Sequence, residues 1–163
     1  MTSADIRVGV GFDAHALVAG RPLVLGGVEI DYPRGLAGHS DGDVLAHALI
    51  DAVLGAAGLG DIGLLFPSGD PAWEGASSLD LLRRAYEAVR SGGYELVNAD
   101  CVLVGEEPRL APVRDKMRAR LAAALGVDPD RVAVRATTTD GLGFTGRGEG
   151  LAAYAVALVA RGG

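Results

Sequence analysis

The run LAAYAVALVA occupies residues 151–160, and its reading decides the fold. Alanine favours helix. The run is nonetheless short and almost continuously apolar, as a buried strand is, and periodicity alone does not separate the two. Its surroundings are plainer. Upstream lie the glycine-rich DGLGFTGRGEG (140–150) and RVAVRATTT (131–139), which reads as a strand. APVRDKMRARLAAALG (111–126) is an amphipathic helix, YELVNADCVLVG (94–105) a strand, and SSLDLLRRAYEAVRSGG (77–93) a second amphipathic helix with a serine cap and a glycine stop. RVGVGFDAH (7–15) alternates as a strand does, and PLVLGGVEI (22–30) reads as a hairpin around Gly26-Gly27. SDGDVLAHALIDAVLGAAG (40–58) predicts a helix over about 41–57, with Ser40 and Asp43 as a capping box and Gly58 as the stop. DIGLLFPSGDPAWEGA (61–76) reads as a loop with one helical turn. Strands and helices interleave, so the class is α/β or α+β. With no linker, repeat or low-complexity segment, one domain over 1–163 is expected.

Composition narrows the function. The net charge is −6, and no basic cluster is longer than Arg83-Arg84. That argues against a nucleic-acid partner and means that a phosphorylated ligand needs metals or local dipoles to hold it. The single cysteine, Cys101, excludes an internal disulfide and a cysteine-rich zinc motif. The single lysine, Lys116, lies in a charged helical stretch. No apolar run reaches the ~18 residues of a membrane span, and MTSADIRVGV lacks the blocks of a signal peptide. No membrane partner is expected, and a cytoplasmic location is.

Two motif matches fail on context. Gly38-His39-Ser40-Asp41-Gly42 fits GxSxG, but the only later histidine, His47, lies seven residues on, apparently in the same helix as Ser40 and unable to fold back on it. Ser40 therefore reads as a helix cap. Gly141-Leu142-Gly143-Phe144-Thr145-Gly146 fits GxGxxG, but the chain has no βαβ unit after it.

The histidines carry more. His15, His39 and His47 are the only three, and each has an aspartate nearby. Asp13 and His15 are two apart on a strand and point to one side. Asp43, His47 and Asp51 share one stripe of a helix at i, i+4 and i+8. Two imidazoles and a carboxylate suit a divalent metal such as Zn²⁺ and leave an open position. Which of the carboxylates binds and which merely orients an imidazole is open from spacing alone.

GFDAHAL, HSDGDVLAHALIDAVLGAAGLGDIG, LLFP and ATTTDGLGFTGRGEG resemble, in order and over nearly the whole chain, the 2-C-methyl-D-erythritol 2,4-cyclodiphosphate synthase family. The resemblance implies a ferredoxin-like subunit, a mixed sheet covered by helices, assembled as a homotrimer with active sites between neighbours. It also implies that LAAYAVALVA is a strand. The implied reaction is cyclisation of 4-diphosphocytidyl-2-C-methyl-D-erythritol 2-phosphate with loss of CMP, a phosphorus–oxygen lyase step of the non-mevalonate isoprenoid pathway. By position, Asp13, His15 and His47 would hold Zn²⁺ or Mn²⁺. Asp140 would hold Mg²⁺ or Mn²⁺ at the diphosphate. His39, Thr138 and Asp140 would act at the reacting phosphates. Ser40 would touch a phosphate, and Asp61 and Gly63 the erythritol hydroxyls. Gly105, Pro108, Arg109, Leu110 and Ala111 would surround the cytidine end, and Ala136, Thr137 and Thr138 would contact its diphosphate. Phe144 and Arg147 complete the implied substrate contacts. Three positions depart from the family pattern. Ser68 and Asp140 stand where aspartate and glutamate are usual, and Arg109 stands where lysine is.

Two alternative functions compete with this one. A metal phosphohydrolase would let water attack at the same site. A trimeric binding protein would hold an isoprenoid diphosphate in a central cavity lined by Phe12, Arg147 and Glu149, where an Arg147–Glu149 bridge between subunits is the equal alternative. Asp43 and Asp51 are expected to divide between supporting His47 and serving a helix cap or loop.

Overall fold

The computed structural model describes residues 4–162; residues 1–3 and 163 of the expected domain lie outside them. In chain order the strands are β1 (Ile6–Ala19), β2 (Leu23–Leu25), β3 (Val28–Ile30), β4 (Arg34–Leu36), β5 (Tyr94–Val104), β6 (Val132–Thr137) and β7 (Gly150–Arg161). The helices are α1 (Val44–Ala56), α2 (Ile62–Leu65), α3 (Ser78–Ser91), α4 (Arg114–Leu125) and α5 (Gly143–Gly146). Five strands form one sheet in the order β4-β1-β7-β5-β6, and β2 and β3 form a separate hairpin. Only β5 and β6 run parallel, and α4 supplies the crossover that a parallel pair needs.

LAAYAVALVA is therefore a strand, and a central one, laddered to β1 on one side and β5 on the other. Ala153, Ala155 and Ala157 face inward and are fully buried, whereas Tyr154 and Val156 face out, 51% and 44% exposed. Both faces are apolar, so the period of two does not show in the letters. The alanines keep the inner face low, and α1 lies on it.

The same device operates on β1. Gly9 and Gly11 point inward with Asp13 and His15, and Val8, Val10 and Phe12 point out. A side chain on Gly9 would collide with Ala52 O and Ala56 N, and one on Gly11 with Ala48 O. The helix thus rests on bare backbone. α1 is buried on nearly every side, as expected of a helix that is apolar all round, with α3 alongside it and α4 packed on α3 and β6.

The helix-covered mixed sheet agrees with the expectation, with two differences. The long elements follow the order β1, α1, α3, β5, α4, β6, β7, or βααβαββ, whereas a ferredoxin-like chain is βαββαβ. The three long helices cover one face, and the outer face of β1 and β7 is open at Val8, Val10, Phe12, Tyr154 and Val156.

Local signals hold in part. Gly26 and Gly27 turn the hairpin with φ of 57° and 74°, the positive pair such a tight turn requires. Helix α1 starts at Val44 with Asp43 as its N-cap, so the expected start at 41 and the Ser40 cap are both corrected. Asp43 is the better cap because it sits where its carboxylate reaches Ala46 N, at 3.1 Å, while also accepting from Gly26 N at 2.9 Å and Gly27 N at 2.7 Å. One side chain thus ends the helix and ties down the hairpin turn.

Cys101 lies in β5 with no exposed surface. Burial, reinforced by Asp100 and Asp43, pushes its thiol up to about 12. The folded protein should be inert to a thiol reagent such as DTNB at pH 8 and react only on unfolding, which a titration with and without denaturant reads directly.

Candidate active site

Because the glycines seat α1 on β1, His47 meets the inward end of that strand. Asp13 Oδ2 lies 2.8 Å from His15 Nε2 and 3.0 Å from His47 Nδ1. The two imidazole nitrogens are 3.4 Å apart, and the three residues form a compact set of potential metal donors. Burial would raise the Asp13 pKa, but hydrogen bonds and charge from His15 and His47 hold its carboxyl at about 2.

The other side of His47 decides its tautomer. Nε2 lies 2.8 Å from Ser78 Oγ and 3.0 Å from Ser40 Oγ. Ser78 Oγ donates to Asp41 Oδ1, and a carboxylate can only accept. Toward His47 the Ser78 oxygen is therefore an acceptor, so this network assigns the ring hydrogen to Nε2. Nδ1 then faces the Asp13 carboxylate with a lone pair, unless the ring takes a second proton. Burial opposes that proton, but Asp13, with Asp43 and Asp41 behind it, outweighs burial and raises the His47 pKa. The site favours positive charge at one spot. A divalent cation bound by Asp13, His15 and His47 would supply that charge and leave both rings neutral, so the donor set fits a metal.

The row Ser40–His47–Asp13 corrects the sequence reading that His47 cannot reach Ser40. Ser40 is outside the helix, and Gly42, with φ of 75°, turns the chain back so that its hydroxyl faces the ring. The nucleophile reading still fails, on a different ground: Nε2 carries the hydrogen and cannot take one from Ser40.

The carboxylates of Asp43 and Asp51 make no hydrogen bond to the His47 ring. Asp43 serves the cap and the hairpin; Asp51 accepts from Ile62 N at 2.7 Å and fixes α2 against α1. Support for His47 comes from Ser78 and Asp41, which the sequence did not single out. Asp41 also accepts from Ser78 N at 2.9 Å, capping α3 from 37 residues away, because Ser77 at the N-cap position makes no side-chain bond. No local pattern announces a cap supplied from so far along the chain.

A cleft of about 220 Å³ opens beside these groups, lined by His39, Ser40, Gly63, Ser68 and Trp73 together with the Asp13 cluster. His39 Nε2 lies 3.1 Å from Asp70 O. Asp61 is exposed outside the cleft lining, and its carboxylate caps α2 at Leu64 N, 2.9 Å away.

The remaining expected residues lie elsewhere on this chain. None of Gly105, Pro108, Arg109, Leu110, Ala111, Ala136, Thr137, Thr138 or Asp140 lines that cleft. Ala136, Thr137, Thr138 and Asp140 are exposed, and so are Arg109 and Ala111. Leu110 is 2% exposed and belongs to the core, so only its backbone is available to a ligand. Glu106 Oε1 accepts from Thr139 N at 3.3 Å and Gly141 N at 3.2 Å, which joins the 105–111 and 136–141 segments into one surface. Asp140 holds φ of 53°, within the left-handed region that aspartate tolerates better than most residues. Phe144 is 40% exposed. Arg147 and Glu149 pair within the chain at 3.1 Å, so their bridge needs no second subunit.

The fold and site define an α/β protein with a candidate divalent-metal centre beside an open cleft. The model of the YgbB family matches residues 6–160, and the chain belongs to that family. It is 62% identical over 154 residues to 2-C-methyl-D-erythritol 2,4-cyclodiphosphate synthase of Moorella thermoacetica, covering 94% of each chain. It is 60% identical to the synthase of Symbiobacterium thermophilum, covering 94% of this chain and 98% of that one. Among solved structures, a CDP-bound form of a 2C-methyl-D-erythritol-2,4-cyclodiphosphate synthase matches with a TM-score of 0.86 at 42% identity, over 94% of this chain and 99% of that one. The bifunctional IspDF of Campylobacter jejuni matches with a TM-score of 0.94 at 46% identity, over 98% of this chain and 43% of that one.

Proposed function

We propose that the chain cyclises 4-diphosphocytidyl-2-C-methyl-D-erythritol 2-phosphate to 2-C-methyl-D-erythritol 2,4-cyclodiphosphate and releases CMP. The observation that carries this reading is the Asp13–His15–His47 cluster beside its cleft, in a chain 62% identical to a synthase of that name. The nucleophile belongs to the substrate. A phosphate monoester has a second pKa near 6 and is mostly dianionic at neutral pH, so no general base is needed. An oxygen of the 2-phosphate bonds to the β-phosphorus, and the bond from that phosphorus to the bridging oxygen of CMP breaks, its electron pair leaving with CMP.

The barrier is the approach of two anionic ends. Like charges ~4 Å apart cost ~4 kcal/mol at an effective dielectric of 20. Divalent ions, one on Asp13, His15 and His47 and one on Asp140, would neutralise and polarise the phosphates when bound. The chain itself would orient them. His39 and Ser40 face the cleft, Thr137 and Thr138 offer hydroxyls to the diphosphate, and Arg109 offers a planar fork that a lysine lacks. Catalysis of this kind is positional and electrostatic.

A homotrimer belongs to this reading. On one chain the nucleotide surface and the metal cleft share no lining residue, so a neighbour would bring its own nucleotide surface to this cleft. The open face of Val8, Val10, Phe12, Tyr154 and Val156 is the kind of contiguous apolar patch that another subunit covers. Phosphorus NMR with the cytidyl substrate, Zn²⁺ and Mg²⁺ tests the activity. A cyclic diphosphate with equimolar CMP is expected; acyclic phosphates would establish a hydrolase instead.

The Asp41–Ser78 support makes a separate prediction. Ser78→Ala removes the acceptor that keeps the hydrogen on Nε2, and it should weaken metal binding by about 10–100-fold, the usual cost of losing such a partner. Competition against a zinc chelator measures it.

A further inference from the structure

The segment that carries His39 and Ser40 is held from the sheet side by one residue that no functional reading has used. Arg21 lies in the turn between β1 and β2. Its Nη1 donates to Gly38 O at 2.9 Å and its Nη2 to Ser40 O at 2.8 Å, the two carbonyls that bracket His39. Among the described residues no backbone amide donates to either carbonyl. Arg21 is itself firmly based: a side chain on Gly35 of β4 would strike the Arg21 and Pro22 carbonyls, so the turn rests directly on the sheet.

The other fastenings of the segment come from the 70–76 loop and from α1 and α3, where Ser40 Oγ meets His47 and Asp41 accepts from Ser78. Gly75 N donates to His39 O at 3.0 Å, and His39 Nε2 meets Asp70 O. What Arg21 fixes is correspondingly close to the site. Gly38 packs on the His15 ring, with a hypothetical β-carbon 3.3 Å from its Cε1, and Ser40 Oγ touches His47.

We propose that Arg21 is a positioning residue for the reaction, a fork that sets His39 and Ser40 over the cleft. This rests on the cyclase reading. A guanidinium spans two carbonyls in a way that a single ammonium cannot, so the geometry calls for arginine and not merely for charge.

The test compares wild type, Arg21→Met and Arg21→Lys as metal-loaded proteins, by steady-state kinetics of CMP release and by hydrogen exchange of the amides of residues 38–42. Arg21→Met should lower kcat roughly tenfold, the scale of a small misplacement of a reacting group. KM should change less than about twofold, since the cytidine contacts lie elsewhere, and zinc content should be unchanged. The 38–42 amides should exchange faster, and Arg21→Lys should recover little. Unchanged exchange overturns the proposal whatever the activity, and so does faster exchange with wild-type kcat. Full rescue by lysine overturns the fork. If Arg21→Met fails to fold, Arg21→Lys carries the same measurements. If wild type itself forms no cyclic product, the cyclase reading fails, and exchange alone then decides whether the clamp exists.

Discussion

His47→Ala is expected to abolish tight zinc binding and to lower the rate of cyclic diphosphate formation by about a thousandfold or more, while the protein stays folded. A metal contributes several kcal/mol to charge stabilisation in phosphoryl chemistry, and each 1.36 kcal/mol is a factor of ten. Removing a donor from a set of three leaves Asp13 and His15, too few for a site of this kind. The fold tolerates the change because His47 lies within α1, where alanine is the best helix former. The helix cap at Asp43 and the glycine contact with β1 also do not involve it. Metal analysis of the purified variant, with circular dichroism as the folding control, reads the first effect, and CMP release reads the second. Stoichiometric zinc in the variant would remove His47 from the donor set. Wild-type turnover without zinc would remove the metal from the mechanism.

The site is written unevenly in the sequence. Strand spacing places Asp13 and His15 on one side and helix spacing places His47 on a stripe, but only the family resemblance singles out Asp13 over Asp43 and Asp51. Asp43 and Asp51 stood on the same stripe, yet both carboxylates spend their lone pairs on backbone amides. Spacing reports a face, not which groups on it are already satisfied. Ser78, Asp41 and Arg21 were illegible for the opposite reason. Each acts across a chain separation of 17 residues or more, and a serine at a helix start looks like a cap whatever it binds. The strand LAAYAVALVA was undecidable from its own letters because alanine there answers to the helix above it and not to its own backbone. The open outer face of β1 and β7 was likewise hidden, since valine and tyrosine on an exposed side look the same as on a buried one.

Gly11→Ala turns the close seat of α1 on β1 into a stability measurement. Alanine normally stabilises a chain relative to glycine, by restricting the unfolded state. At Gly11 the new methyl would collide with the Ala48 carbonyl of α1, which is backbone and cannot swing aside. The helix has to lift from β1, and it is pinned along its length by buried side chains. The expected loss is about 3 kcal/mol, the upper part of the usual overpacking range, or roughly 10 °C in Tm for a chain of this size. Gly55→Ala is the internal control. Gly55 lies on the exposed side of the same helix, with only the Val10 carbonyl at 4.0 Å from the added carbon, so it should gain up to about 1 kcal/mol. The same substitution on the two facing elements should therefore move urea midpoints in opposite directions, measured at one protein concentration. The Gly11 variant should also bind zinc less tightly even where it is folded, because a displaced α1 takes His47 away from Asp13 and His15. If both variants shift alike, the close seat of α1 on β1 is not what assembles the site.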